Sequence, residues 1–417
     1  AAHYPTMPFY STENPAHRVA LKEAVLRSLP PDNGLYMPVD LPRLSEDFWR
    51  QWRELSFQDM GFAVAQAFFG DDVPDEALQE IVAGTLAFDA PVVTLGENNH
   101  VLELFHGPTL AFKDFGARFM ARLMAWLTRD DDQPLTVLVA TSGDTGGAVA
   151  SAYHQIEGTR VVILYPRGKV SALQEKQLTA LGGNITALEI DGSFDDCQRL
   201  VKSAFLDREL SDQLNLTSAN SINISRLVPQ SFYYIHSARQ IESDSPPAFV
   251  VPSGNFGNLT AGLLAARLGL DVAKFVAATN INDVVPAYLA SGDYRPRPSD
   301  ATISNAMDVG SPSNFARLLA LFDRRWDDMA AAIDGLAFDD AETRAMIRRT
   351  HAEHDYLIDP HGAVGLLAAE AWRAAHPGTP TITLETAHPA KFLDVMDEEL
   401  GRGTVTIPER LAVLAER

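Results

Sequence analysis

The residue with the sharpest chemical potential is Lys113, set in Phe105-His106-Gly107-Pro108-Thr109-Leu110-Ala111-Phe112-Lys113-Asp114-Phe115-Gly116. The chain has only seven lysines against 27 arginines, so a lysine flanked by Phe112 and Phe115 stands out. Partial desolvation between aromatic rings lowers an ammonium pKa and frees the amine as a nucleophile. A plainer reading is a lysine that keeps its charged head in water beside Asp114.

Three turns could hold an anion. Thr141-Ser142-Gly143-Asp144-Thr145-Gly146-Gly147 combines hydroxyls, backbone N–H groups and a helix start, which suits a carboxylate or phosphate. Pro252-Ser253-Gly254-Asn255-Phe256-Gly257-Asn258-Leu259 sets two glycines three apart before a helix starting near Asn258. There the backbone can approach a ligand closely and the helix presents its positive end, so phosphate is the natural occupant. The segment lacks the G-x-G start of the dinucleotide fingerprint. Asn220-Ser221-Ile222-Asn223-Ile224-Ser225-Arg226 is a dense set of donors. On a helix Asn223 and Arg226 share a face, and an arginine forks onto phosphate or carboxylate. Each turn also has a plain structural reading: an N-cap with packing glycines, a sharp left-handed turn, and a capping motif with an exposed arginine. His106, His361 and His388 read as structural hydrogen-bonders. No HExxH, paired CxxC or carboxylate cluster points to a metal, and no serine sits in a G-x-S-x-G elbow.

The elements that must position these groups alternate between strand and helix. Strands are expected at Thr136–Ala140, Val161–Tyr165, Ile185–Ile190, Ala248–Val251, Phe275–Thr279 and Thr381–Leu384. Helices are expected from about Thr145, over Ala172–Leu181, from Phe194 and over Asn258–Leu268. That alternation predicts the α/β class, with parallel sheets covered on both faces. The first 95 residues differ: a helix near Ala20–Ser28, a Pro/Gly-rich passage, then helical segments between Ser45 and Leu86. They read as a mainly helical N-terminal domain, and Asn314 to Trp372 reads as mostly helical.

Composition narrows the function further. The 417 residues carry a net charge of −21, which disfavours nucleic acid and anionic membrane surfaces. With 46% hydrophobic and 21% charged residues, the chain is ordinarily globular. Cys197 is the only cysteine, which fits a reducing compartment. No secretory signal or membrane helix is expected, and the predicted location is the cytoplasm.

Taken together, the motifs resemble the threonine synthase family of fold-type-II pyridoxal-phosphate enzymes, in the long form with an N-terminal domain. The resemblance rests on H-G-P-T-L-A-F-K-D-F-G at 106–116, A-T-S-G-D-T-G at 140–146 and N-S-I-N-I-S-R-L at 220–227. It rests equally on P-S-G-N-F-G-N at 252–258, T-A-H-P-A-K-F at 386–392 and the segment 21–38. One departure is Tyr10-Ser11-Thr12-Glu13-Asn14, where the family often has Y-S-T-R-G; Arg18 could compensate.

The resemblance implies a tryptophan synthase β-like fold: a domain at 1–95 and a catalytic core at 96–417, with a smaller α/β domain at about 122–212 inserted in the larger one. It implies pyridoxal 5'-phosphate as cofactor, carried by Lys113, which also moves protons. Gly254, Asn255, Phe256, Gly257 and Asn258 match the cofactor-phosphate loop. Thr386 matches the hydroxyl near the pyridine nitrogen, and Asp144 stands where many relatives have asparagine near the phenolic oxygen. Thr141, Ser142, Gly143 and Thr145 match the substrate-carboxylate loop, and Ser221, Asn223 and Arg226 match groups around a substrate phosphate. The implied reaction takes O-phospho-L-homoserine and water to L-threonine and phosphate, in a monomer or homodimer without metal, nucleic acid or membrane. The alternatives are a related phospho-lyase releasing 2-oxobutyrate and a non-catalytic phosphometabolite-binding protein.

Overall fold

A computed structural model describes residues 8–141, 143–170 and 172–416. Two larger sheets organise the chain. The first has the strand order Ile333–Ala337, Lys274–Thr279, Ala248–Pro252, Thr381–Glu385, Asn99–Glu103, Val92–Gly96. All neighbours in it are parallel except the terminal hairpin of Val92–Gly96 and Asn99–Glu103. Its central strands Ala248–Pro252 and Thr381–Glu385 are buried at every residue, as expected for parallel strands covered on both faces. The second sheet is wholly parallel, in the order Ile185–Ile190, Thr159–Pro166, Leu135–Ala140, Leu216–Ser218.

The expected strands and helices of both sheets are present, and the chain is α/β. Several details differ from expectation. The N-terminal region is not helix alone: Arg18–Val19, Phe9–Ser11 and Tyr36–Pro38 form an antiparallel sheet. The larger sheet is mixed because Val92–Gly96 folds back on its neighbour, so the boundary expected at residue 95 cuts a strand. The short strand Leu216–Ser218 carries the smaller sheet beyond residue 212. Ile333–Ala337 interrupts the supposedly helical stretch, because its partner is the distant Phe275–Thr279.

The helix Lys113–Leu127 lies in the main apolar core and carries Lys113 at its first position. Its buried face meets both the core helices and the N-terminal region: Phe119 packs against Phe69 at 5.6 Å and Phe232 at 5.9 Å between ring centroids. Further ties fasten the N-terminal region to the core. Thr217 Oγ1 donates to Leu26 O (2.6 Å), Asn223 Nδ2 to Val25 O (2.8 Å) and Arg317 Nη2 to Tyr36 O (2.9 Å). No helix among the described residues is long and apolar enough to cross a membrane.

Removing the fully buried Phe119 ring breaks the packing between the N-terminal helices and the core. Phe119→Ala is expected to lose about 3–5 kcal/mol of stability, read as a lower urea midpoint at unchanged cofactor load.

Candidate active site

Lys113, Thr145, Asp144 and Lys391 form a compact polar cluster. Lys113 Nζ donates to Thr145 Oγ1 at 2.9 Å. It does not pair with Asp114, whose carboxylate is fully buried and accepts from Thr109 N (2.9 Å) and Thr109 Oγ1 (2.7 Å). Burial holds the Lys113 ammonium down to about 8; Asp144 opposes the shift, while Arg226 and Lys391 reinforce it. Burial would raise the Asp144 carboxyl, yet Lys391 and Lys113 overcome it and hold the group at about 2. Lys391 Nζ reaches Asp144 Oδ1 at 2.7 Å and also donates to Thr109 O at 2.9 Å. Asp144 is therefore an ionised carboxylate whose charge Lys391 already claims, which leaves Lys113 under-compensated.

The turn behind Thr145 is self-braced. Thr141 Oγ1 accepts from Gly143 N (3.0 Å) and Gly146 N (2.8 Å). Gly143 has φ +146°, and a Cβ there would lie 2.4 Å from Gln174 Nε2, so glycine is required. The Thr141 side chain thus shapes the loop. Ser142 lies outside the described residues.

The second loop ends the central strand Ala248–Pro252 and starts the helix Gly257–Leu268, whose first-turn N–H groups have no intrahelical acceptors. Phe256 takes a left-handed turn (φ 65°), and a Cβ at Gly254 would stand 2.6 Å from Ala306 O. Two asparagines brace the loop. Asn255 Nδ2 donates to Ser221 Oγ (3.0 Å) while its Oδ1 accepts from Gly257 N (3.0 Å). Asn258 Oδ1 accepts from Ser253 Oγ (2.7 Å) and its Nδ2 donates to Pro252 O (2.9 Å). The Asn255–Ser221 bond joins this loop to the third motif.

In that third motif Asn223 and Arg226, expected to share a helix face, part in role because Asn223 stands at the helix cap and not within the helix. Asn223 caps the helix Ile224–Leu227, accepting from Ser225 N (3.0 Å) and Ser225 Oγ (2.7 Å), and it donates to Val25 O. Its amide is spent on structure. Arg226 is buried, not the exposed residue of the plain reading. Its Nη1 donates to Ala219 O at 2.9 Å, and its Nε has no partner among the described residues. Burial holds its guanidinium down to about 10.

Thr386 adjoins the cluster through its backbone: Phe112 N donates to Thr386 O at 2.9 Å, and Ala111 bridges Ala387, which brings the Thr386 segment against the Lys113 segment. The three histidines have structural partners. His361 Nδ1 pairs with Asp359 Oδ2 (2.7 Å), His106 Nε2 with Glu103 Oε1 (3.0 Å), and His388 Nδ1 accepts from Ala390 N (3.0 Å). Burial holds the His388 imidazole down to about 4, so it is neutral at pH 7. Among the described residues no cluster of histidine, cysteine and carboxylate is placed to hold a metal.

These groups fit pyridoxal phosphate: a buried amine able to take its aldehyde and a glycine-lined loop at a helix start suited to its phosphate. The fold and site define a pyridoxal-phosphate enzyme of fold type II. A family model described as "Pyridoxal-phosphate dependent enzyme" matches residues 88–383, flanked by "Threonine synthase N terminus" at 8–86 and "Threonine synthase, C-terminal" at 362–417. Threonine synthase of Escherichia coli (strain K12) is 46% identical, over 98% of this chain and 95% of its own. The PLP-bound threonine synthase of Brucella melitensis superposes with TM-score 0.92 at 36% identity, covering 99% of this chain and 95% of its own. The yeast threonine synthase structure gives TM-score 0.91 at 32% identity, covering 99% and 94%. The chain belongs to the threonine synthase family, and its cofactor is pyridoxal phosphate.

Lys391 was visible in T-A-H-P-A-K-F, but nothing in the motif said that it would ion-pair with Asp144. Its loss should raise the Lys113 pKa, since a repelling cation goes and Asp144 is left to attract. In the cofactor-free chain, reductive methylation of Lys113 followed by mass spectrometry should show a midpoint near pH 8. In Lys391→Met that midpoint should move up; a midpoint that stays or falls would contradict the arrangement.

Proposed function

We propose that this chain converts O-phospho-L-homoserine and water to L-threonine and inorganic phosphate. The observation that carries the substrate assignment is Arg226. It is a buried guanidinium that makes no salt bridge to a carboxylate among the described residues, and its charge acts on the Lys113 amine. An uncompensated buried cation is costly, and an anionic substrate group would compensate it.

Bound pyridoxal phosphate supplies an electron sink for carbanions at the substrate α and β carbons. Lys113 Nζ, held near pKa 8, can give up or take a proton close to neutral pH and serves as the base and acid at those carbons. Thr145 Oγ1 aims the amine. The Thr141–Thr145 turn, with N–H groups at the start of the helix Asp144–Tyr153, receives the substrate carboxylate. Arg226 binds the phosphate ester and neutralises charge as phosphate leaves the γ carbon, with Ser221 alongside; Asn223 positions this segment. Water adds at the β carbon, leaving the γ carbon as a methyl, so the reaction balances without an oxidant or reductant. Gly254 to Asn258 would hold the cofactor phosphate, Thr386 would serve its ring nitrogen, and Asp144 would serve its phenolic oxygen. The proposed setting is a cytoplasmic monomer or homodimer, with the domain division tracking which strands share a sheet.

With pyridoxal phosphate and O-phosphohomoserine, threonine and phosphate should appear one for one. Phosphate with 2-oxobutyrate would assign the phospho-lyase, and absence of phosphate release would refute the substrate. Arg226→Met should lower kcat/KM roughly 10- to 100-fold, chiefly through KM, the loss of a charged hydrogen bond. Lys113→Ala should abolish turnover and the borohydride-fixed cofactor peptide.

A further inference from the structure

Three carboxamides surround the glycine cradle at Gly254–Asn258, and two are consumed within the protein, Asn255 on Ser221 and Gly257, Asn258 on Ser253 and Pro252. The third is Asn314, the residue before the helix Phe315–Leu321. It is fully buried, and its backbone N–H donates to Asn255 O at 3.0 Å, which fixes it to the loop. Its Oδ1 accepts from Arg317 Nη1 at 2.9 Å. A guanidinium has only donors, so this bond orients the amide: oxygen toward Arg317, NH2 away from it. That Nδ2 has no partner among the described residues. It points at the cradle, since a Cβ on Gly257 would lie 3.3 Å from it. Buried amide donors are rarely left unpaired, and here the gap lies at a helix start suited to an anion.

Arg317 is itself fully buried and makes no ion pair among the described residues. Its Nε and Nη2 both donate to Tyr36 O, at 3.3 and 2.9 Å. A line of contacts therefore runs from the N-terminal sheet through Arg317 and Asn314 to the cradle.

We propose that Asn314 Nδ2 donates to a phosphate oxygen of the cofactor, and that Arg317, anchored on Tyr36 O, is the positioning residue that turns the amide toward it. The N-terminal region thereby takes part in holding the cofactor. This inference rests on reading the Gly254–Asn258 loop as the phosphate cradle.

The test titrates the full chain, stripped of cofactor, with pyridoxal phosphate and with pyridoxal, which lacks the phosphate, and reads the visible band of each bound form. Asn314→Asp keeps the size and the Arg317 contact but sets a carboxylate against the phosphate. It should weaken pyridoxal phosphate roughly 10- to 100-fold and leave pyridoxal affinity nearly unchanged. Asn314→Ser, uncharged and too short, should show the same selectivity to a smaller degree. Arg317→Lys, which keeps charge but loses the fork, should also lower the preference for pyridoxal phosphate. Equal loss for both ligands, or no loss, would overturn the proposal. Gly254→Ala tests the underlying reading: if it leaves the preference intact, the cradle assignment fails. If it abolishes the preference while the Asn314 variants do not, only Asn314 is excluded.

Discussion

Burying an amine penalises its charged form, and the penalty grows as compensation is withdrawn. At Lys113 the compensation is deliberately incomplete: Asp144 lies close enough to interact, but Lys391 holds it at 2.7 Å. The amine is left near its midpoint at physiological pH instead of being locked as an ammonium. Much of the surrounding structure preserves that balance. Thr109 spends its N–H and hydroxyl on Asp114, which keeps a second carboxylate from pairing with Lys113, and offers its carbonyl to Lys391. The Thr141 turn fixes Thr145 against the amine, and Gly143 permits a backbone that a side chain would block. Aspartate at this position is then compatible with a nearly neutral site, because its charge is cancelled from the other side.

A second constraint is that the asparagine side chains around the candidate site are mostly bound to protein. Asn223, Asn255 and Asn258 hold loops in shape, while Arg226 Nε and Asn314 Nδ2 keep no partner among the described residues. Structural asparagines make rigid walls, and rigid walls present donors without reorganisation when charge develops.

The sequence made the three loops and the poised lysine legible because each is local: glycines, hydroxyls and amides within a few residues of a strand end. The strand Ile185–Ile190 and the helix from Phe194 were equally plain from the alternation of strand and helix, and the structure adds Ser193 as the cap of that helix. The strands of two or three residues near the N-terminus and at Leu216–Ser218 were not, since so short a run has no periodicity to detect. Ile333–Ala337 contains Asp334 and Gly335 and takes its strand character from a distant partner. In the site, Lys391 and Arg317 escaped for the same reason, because their meaning lies in a carboxylate or carbonyl hundreds of residues away. The Asn220–Arg226 turn was legible both as a donor set and as a cap, but only the partners Ser225 and Val25 show that the Asn223 side chain is spent on the cap.

The order of strands in the larger sheet has a consequence for biosynthesis. Thr381–Glu385 sits between Ala248–Pro252 and Asn99–Glu103, both earlier in the chain, so their facing edges stay open until this later strand is made. Lys391 follows it directly. An emerging chain therefore carries Lys113 and the glycine cradle long before either can work together, and it exposes unpaired strand edges meanwhile. A chain cut before Thr381 would hold both of those parts and lack the strand that joins them.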